Sequence, residues 1–348
     1  MSDAATKVKA PARFDVVGIG NAIVDVIAHA DDAFLQSNDL AKGAMTLIDA
    51  ARAETLYGKM ASAIESSGGS AANTMAGLAS LGGRAGFIGK VRDDQLGGIF
   101  RHDIRAAGVQ FDSASATSGL PTARCLIFVT ADAQRTMQTF LGASVDLGPD
   151  DVDAAVIGAA SVVYLEGYLW DRPQAKEAFQ RAARIAHDAG RKVALTLSDA
   201  FCVDRHRADF LALIEGHVDV LFANEAEIKS LYQAEDFATA SAKVRHHCEV
   251  AALTRSEKGA VIVKGDQMLT IPAAPVAQVI DTTGAGDLYA AGFLYGYTRG
   301  LPLETCGRIG ALAAAEVISH YGARPEVKLA DLVAAQLGPL PAAVTTLV

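Results

Sequence analysis

Cysteine is scarce. The 348 residues hold four, Cys125, Cys202, Cys248 and Cys306, far apart and without a C-x-x-C pair. A disulfide framework or a structural zinc site needs closer, patterned spacing, so reduced thiols in a cytoplasmic protein are expected. Long apolar runs are missing too: none approaches the length of a membrane span, and no membrane partner is expected. Residues 1–13 are polar and Ala-rich and lack the apolar core of a secretory signal; they are expected to form a loose tail. Positive charge is in the minority, with 31 Lys and Arg against 40 Asp and Glu and a net charge of -9. Such a chain repels phosphate backbones, which argues against non-specific nucleic-acid binding. It does not argue against a polyphosphate ligand, because backbone N–H groups and a metal ion can hold one on an acidic protein. The eight histidines form no metal pattern; His246 and His247 are adjacent and fall on different faces of a helix. No G-x-x-x-x-G-K-[ST] segment occurs, which excludes a P-loop mechanism.

What the chain does have is apolar mass: 51% of its residues are hydrophobic, enough for a large core in one big α/β domain or two smaller ones. Short β-branched runs at 14–18, 86–89, 124–130, 161–165, 192–197, 218–222, 250–254, 260–263 and 268–271 read as strands. Amphipathic stretches at 71–81, 94–107, 173–189, 225–231, 285–298 and 303–319 read as helices. This alternation predicts a mostly parallel sheet with helices on both faces, and ligands at the carboxyl ends of its strands. Residues 28–56 and 111–141 break the rhythm. They are expected to project as a small lid from a large domain of residues 14–27, 57–110 and 142–340.

The strongest chemical signal is Asp281-Thr282-Thr283-Gly284-Ala285-Gly286-Asp287 at the start of a helix. Small residues let the backbone approach a ligand, and the helix points its free N–H groups back at the loop, making an anion site. A carboxylate in the first turn, Asp287, can take a proton from an attacking hydroxyl while the N–H groups stabilise a transferred phosphoryl group. Tight packing with Asp287 as a dipole partner would explain one glycine and one Asp, but not the whole run. A second loop, Ser66-Ser67-Gly68-Gly69-Ser70-Ala71-Ala72-Asn73, also precedes a helix. Its Ser70 and Asn73 suit hydroxyl ligands; equally, Ser70 is a good N-cap. A third, Gly18-Ile19-Gly20-Asn21-Ala22-Ile23, opens like a dinucleotide fingerprint but has Ile23 at the third glycine, which disfavours an NAD-linked oxidoreductase.

The first two loops, in this order and about two hundred residues apart, resemble the paired signatures of the ribokinase-like (PfkB) carbohydrate kinase family. Gly89–Gly97 resembles the family's G-x-x-G-x-D-x-x-G segment loosely, with Arg92 at its second glycine, and Asn224-Glu225-Ala226-Glu227 matches its N-x-x-E motif. The resemblance spans roughly residues 14–326. It implies a three-layer αβα sandwich with a β-rich lid, and an ATP-dependent kinase. Asp287 would be the base, with an anion hole from the N–H groups of Gly284, Ala285 and Gly286. Asn224 and Glu227 would organise Mg²⁺ and its waters; as residues they also make a good capping box, and both roles can hold together. Asp25, Gly69, Ser70 and Asn73 would line the acceptor pocket, with Asn21 beside them. Thr254 and Gly259 would lie along ATP. Asp281 and Thr283 would be candidates for a monovalent cation such as K⁺.

Within the family, residues 20–26 and 47–49 and Gln134-Arg135 look like the adenosine-kinase branch. That points to a nucleoside, adenosine, as acceptor and AMP as product. Arg135 would reach the phosphates when the lid closes, or else be a solvated turn arginine. Tyr168 or Trp170 could stack on a purine, or pack in the core. A sugar kinase acting on ribose, fructose or a ketodeoxy sugar acid remains open, as does an inactive nucleotide-binding regulator. A monomer and a homodimer are both compatible with the sequence.

Overall fold

Strands such as Phe14–Ile19 and Ala160–Glu166 are apolar on consecutive residues rather than alternate ones. Both of their faces must be covered, which is the mark of a parallel sheet between helical layers. The computed structural model describes residues 12–132 and 134–340, so most of the expected N-terminal tail lies outside the described residues. Among these residues a nine-stranded sheet runs in the order Gln267–Ile271, Ala260–Lys264, Val250–Thr254, Val220–Asn224, Lys192–Thr196, Ala160–Glu166, Phe14–Ile19, Ala85–Ile88, Val109–Gln110. The pairs from Val250–Thr254 to Val109–Gln110 are parallel; only the hairpin edge beyond Val250–Thr254 is antiparallel. Two apolar clusters fill the two sides, one around Tyr164, Phe222 and Phe293, the other around Trp170, Phe179 and Phe210. This is the three-layer αβα architecture expected.

A second sheet of five strands runs Met45–Leu47, Arg135–Phe140, Ala123–Val129, Ile23–His29, Ile64–Gly68. Ile23–His29 alternates between buried and half-buried positions, a period of two. Val24 and Val26 pack with Leu126 and Phe128 against Leu35 and Leu56 of the helices Asp32–Ser37 and Ala50–Tyr57. Asp25 and Cys125, paired in register, lie on the opposite face. The sheet draws on two strands outside segments 28–56 and 111–141, namely Ile23–His29, most of which precedes residue 28, and Ile64–Gly68. Their sequences, IVDVIAH and IESSG, carry too few apolar residues to stand out alone. The helix Ala200–His217 was also hidden, because its backbone departs from helical geometry at His206 (φ -127°) and its apolar stripe is broken there.

Three helices set the site. Ala285–Tyr297 crosses Leu303–Val317 where Gly292 faces Gly310. It crosses Ser70–Ser80 where Gly77 faces Leu288 and Ala291. A Cβ on Gly292 would stand 2.7 Å from Gly310 Cα and from Ile309 O, which are backbone atoms that no side-chain rotation can move. Gly292→Ala is therefore expected to cost about 1–3 kcal/mol of stability through overpacking. The reading is a lower urea midpoint with an unchanged far-UV spectrum; an unchanged midpoint would mean that the helices part without loss.

Candidate active site

The parallel strands end together, with Glu166 opposite Thr196 and Asn224 opposite Thr254 in register. The loops beyond these ends carry most of the expected residues. Gly284 caps the helix Ala285–Tyr297 in the left-handed region (φ 79°), where a side chain would be strained, and its missing Cβ leaves room for Ala323. The Ala285 N–H closes the turn onto Thr282 O at 3.2 Å, and Leu288 is the first to find a helical acceptor, Gly284 O at 2.8 Å. Gly284, Gly286 and Asp287 therefore keep N–H groups without an acceptor among the described residues, and Ala285 leaves the expected set of three. A Cβ on Gly286 would meet nothing within 4 Å, so the residue borders open space on that side. That is the geometry of an anion cradle.

Asp287 stands in the first turn of this helix. Ser70 Oγ donates to its Oδ1 at 2.6 Å and Asn73 Nδ2 to its Oδ2 at 3.3 Å. Burial pushes its carboxyl up to about 6, although both donors and the Arg324 charge pull the other way. Ser70 does not cap its helix; the cap is Gly69 (φ 98°), which closes against Asn21 O. Gly68 leaves its Cβ space to the carboxylate of Asp25. Burial raises Asp25 to about 6 as well, against the charges of Arg135 and Arg324. Two half-buried carboxylates thus flank the loop, Asp25 from the second sheet and Asp287 from the helix Ala285–Tyr297, and both are available as bases near neutral pH.

Asn21, expected to touch the acceptor, is 1% exposed and fully committed. Its Nδ2 donates to Glu166 Oε1 at 2.6 Å, and its Oδ1 accepts from Ser144 Oγ at 2.9 Å. Glu166 Oε2 takes the N–H of Ala71 at 2.8 Å, anchoring the start of the helix that presents Ser70 and Asn73. Burial pushes Glu166 up to about 7. Sequence reasoning passed over Glu166, a lone acid ending an apolar strand. It also passed over Arg324, whose Nε donates to Asn73 Oδ1 at 2.8 Å.

Arg135 is no solvated turn residue. It pairs with Asp281, both side chains being under a tenth exposed, and its Nη1 reaches Thr283 Oγ1 at 3.3 Å. Asp281 also accepts from Thr283 N at 3.0 Å, Thr283 Oγ1 at 2.7 Å and Gly322 N at 3.0 Å. Burial works against its charge, but these donors win and hold the carboxyl below the usual range. Its oxygens are saturated by donors and its charge is met by a guanidinium, so a monovalent cation on Asp281 and Thr283 does not fit. Asn224 and Glu227 form the expected capping box, Asn224 Nδ2 donating to Glu227 Oε1 at 2.5 Å and Glu227 N to Asn224 Oδ1 at 2.9 Å. Burial, with Asp199 and Asp287 nearby, pushes Glu227 up to about 7. Both Glu227 oxygens already accept from Asn224, and among the described residues no three His, Cys, Asp or Glu side chains gather to hold a metal directly, so a hard divalent cation here would be reached through its waters. Thr254 sits beside Asn224, and Gly259 begins the return to Ala260–Lys264. Trp170 packs in the core on Phe210, ring centroids 5.3 Å apart, so it is no base-stacking residue. Tyr168 lies just beyond the carboxyl end of the central strand Ala160–Glu166, 37% exposed, its N–H on Ser198 Oγ at 3.1 Å.

With this geometry in hand, known proteins give context. A model of the pfkB family carbohydrate kinases matches residues 39–329. The crystal structure of adenosine kinase from Sinorhizobium meliloti is 55% identical, with a TM-score of 0.87 over 93% of this chain and 100% of that one. The crystal structure of a probable sugar kinase protein from Rhizobium etli CFN 42 is 54% identical, with a TM-score of 0.86 over 94% of this chain and 99% of that one. An uncharacterized sugar kinase of Archaeoglobus fulgidus is 30% identical over 71% of this chain and 96% of its own length.

Glu166→Gln tests the anchor. An amide offers one acceptor where Asn21 and Ala71 supply donors to two carboxylate oxygens, so one donor is left unpaired. The expected loss is about 1–3 kcal/mol of stability. Amide exchange at Ala71 should quicken selectively; unchanged protection there would dismiss Glu166 as the anchor.

Proposed function

The chain belongs to the pfkB family of carbohydrate kinases, phosphotransferases with an alcohol acceptor, and on that premise we propose that it phosphorylates the primary hydroxyl of a nucleoside, adenosine, to give AMP. One observation carries the reading: Asp287 stands beside acceptor-free helix amides while Ser70 and Asn73 hold both of its oxygens. The hydroxyl of the acceptor gives its proton to Asp287 as its oxygen attacks the γ-phosphorus, and the bond from that phosphorus to the bridging oxygen breaks, so that ADP leaves with the electron pair. Charge on the transferred group falls on the N–H groups of Gly286 and Asp287. Asp25, on the inner face of the second sheet, binds acceptor hydroxyls. Thr254 and Gly259 line the nucleotide side. Asn224 and Glu227 would hold Mg²⁺ through water, and bound there it would neutralise polyphosphate charge. The second sheet is the lid, and its closure keeps water from the phosphoryl group.

Adenosine is favoured by the Sinorhizobium adenosine kinase, which matches over nearly the whole chain. The almost equally similar Rhizobium protein, named as a probable sugar kinase, keeps ribose, fructose and ketodeoxy sugar acids as the second reading. An inactive regulator is disfavoured by an intact base and anion cradle.

The test is ADP release with Mg²⁺-ATP over a panel of adenosine, other nucleosides, ribose, fructose and ketodeoxygluconate. Turnover confined to adenosine is expected; turnover confined to a sugar overturns the nucleoside assignment and spares the base. Asp287→Asn should keep fold and ATP binding and lose about 10²–10⁴-fold in turnover. Because the base works ionised, native turnover should fall as pH drops through about 6. An acid limb that survives in the variant would mean that another group sets it.

A further inference from the structure

Arg324 lies on the loop that follows the helix Leu303–Val317, in a stretch with no motif of its own. Its guanidinium enters the joint between the strand Ile64–Gly68 and the helix Ser70–Ser80. Nε donates to Asn73 Oδ1 at 2.8 Å, and Nη2 donates to Ser67 O at 2.9 Å and Ser67 Oγ at 3.0 Å. Ser67 passes the connection on, giving its N–H and hydroxyl to Asp103 Oδ2 at 2.7 and 2.6 Å. Burial pulls the guanidinium below its ordinary pKa, and the charges of Asp103, Asp25 and Asp287 oppose that.

An Asn side chain has a donor end and an acceptor end of the same shape, so its orientation must be set from outside. Were Oδ1 of Asn73 turned to Asp287, two acceptors would face each other. Arg324 has donors only, and it claims Oδ1, which leaves Nδ2 for Asp287 Oδ2. Both oxygens of the base therefore meet donors, the hydroxyl of Ser70 at one and the amide of Asn73 at the other. The Asp287 charge in turn bears on titratable groups from every side and raises each of them: Asp25 of the second sheet, Tyr164 and Glu166 of the strand Ala160–Glu166, Tyr168 beyond it, and Glu227 of the helix Glu225–Tyr232. Ionised, each of these would be negative. Arg324 supplies the opposing positive charge.

We propose that Arg324 is a positioning residue for phosphoryl transfer, which fixes the orientation of Asn73 and so keeps the Asp287 carboxylate aimed and charged. The inference rests on Asp287 being the base. Arg324 touches neither the acceptor nor ATP; it acts through Asn73.

The test uses the full-length protein and the variants Arg324→Met and Arg324→Lys, read in two ways. The first is turnover against pH with the acceptor that the native chain prefers. The second is the ¹³C carboxylate resonance of Asp287, assigned by its disappearance in Asp287→Asn and titrated without any acceptor. For Arg324→Met we expect kcat to fall by about 10²-fold, as for a misaimed catalytic group. KM for ATP should stay unchanged, and both the acid limb and the Asp287 titration should move to higher pH. Arg324→Lys keeps the charge but not the planar fork, so the titration should stay near native while kcat recovers only in part. Native kcat in Arg324→Met, or a lowered kcat with an unmoved Asp287 titration, overturns the proposal. If Arg324→Met does not fold, the Arg324→Lys pair of readings decides, native kcat there being the overturning result. If the native chain turns over no acceptor, the functional reading has failed, and the titration alone decides the role of Arg324.

Discussion

The hydrogen bond from Ser70 Oγ to Asp287 Oδ1 joins the starts of two helices 217 residues apart in the chain, and the site exists only while those starts stay together. The rest of the fold serves that meeting. Gly77 lets one helix settle on Leu288 and Ala291 of the other, and Gly292 lets the second helix settle on Gly310 of a third. Glu166 holds the first helix by the amide of Ala71, one residue from the hydroxyl that matters. Each device removes slack from a different direction. A catalytic carboxylate needs this because an ångström of misplacement can cost about 10²-fold in rate.

The electrostatics divide within a single loop. Asp281 and Asp287 are six positions apart, the first buried and the second half-buried, and shifted in opposite directions. At Asp281 the N–H of Gly322, both donors of Thr283 and the Arg135 guanidinium outweigh desolvation, and the carboxylate is locked in its charged form. At Asp287 one strong donor and one long one do not outweigh it, and the carboxyl rises to about 6. The number of donors decides the sign. A fully satisfied carboxylate is inert ballast that orders a loop; an under-satisfied one retains the basicity to accept a proton.

The same distinction explains what could be read from the sequence. The two glycine loops were legible because backbone close to a ligand demands small residues in runs, and runs leave a pattern. The nine-stranded sheet was legible through its consecutive apolar strands. Glu166 and Arg324 left no pattern, since each is one polar residue whose partners come from distant segments: Asn21 and Ala71 for the first, Ser67 and Asn73 for the second. Asn21 was misplaced for the related reason that a polar strand end looks the same whether it faces ligand or another side chain. The aromatic Trp170 was ambiguous until burial placed it on Phe179 and Phe210. The second sheet was only half legible, because strands such as Ile64–Gly68 owe their form to their neighbours more than to their own residues.

Arg135 and Asp281 tie the second sheet to the anion loop, and the energetics of that tie are lopsided. A buried ion pair roughly breaks even against its desolvation, whereas stripping one partner costs about 3–5 kcal/mol. The pair therefore specifies where the sheet sits more than it stabilises the fold. On the aspartate side every oxygen is met. On the arginine side Nε is buried without a partner. The unmet capacity of the tie thus belongs to the guanidinium, next to Thr283 and one residue from the cap of the anion cradle. Nε is thus a buried donor of the tie still without an acceptor among the described residues, while the charge of Arg135 is already balanced by Asp281.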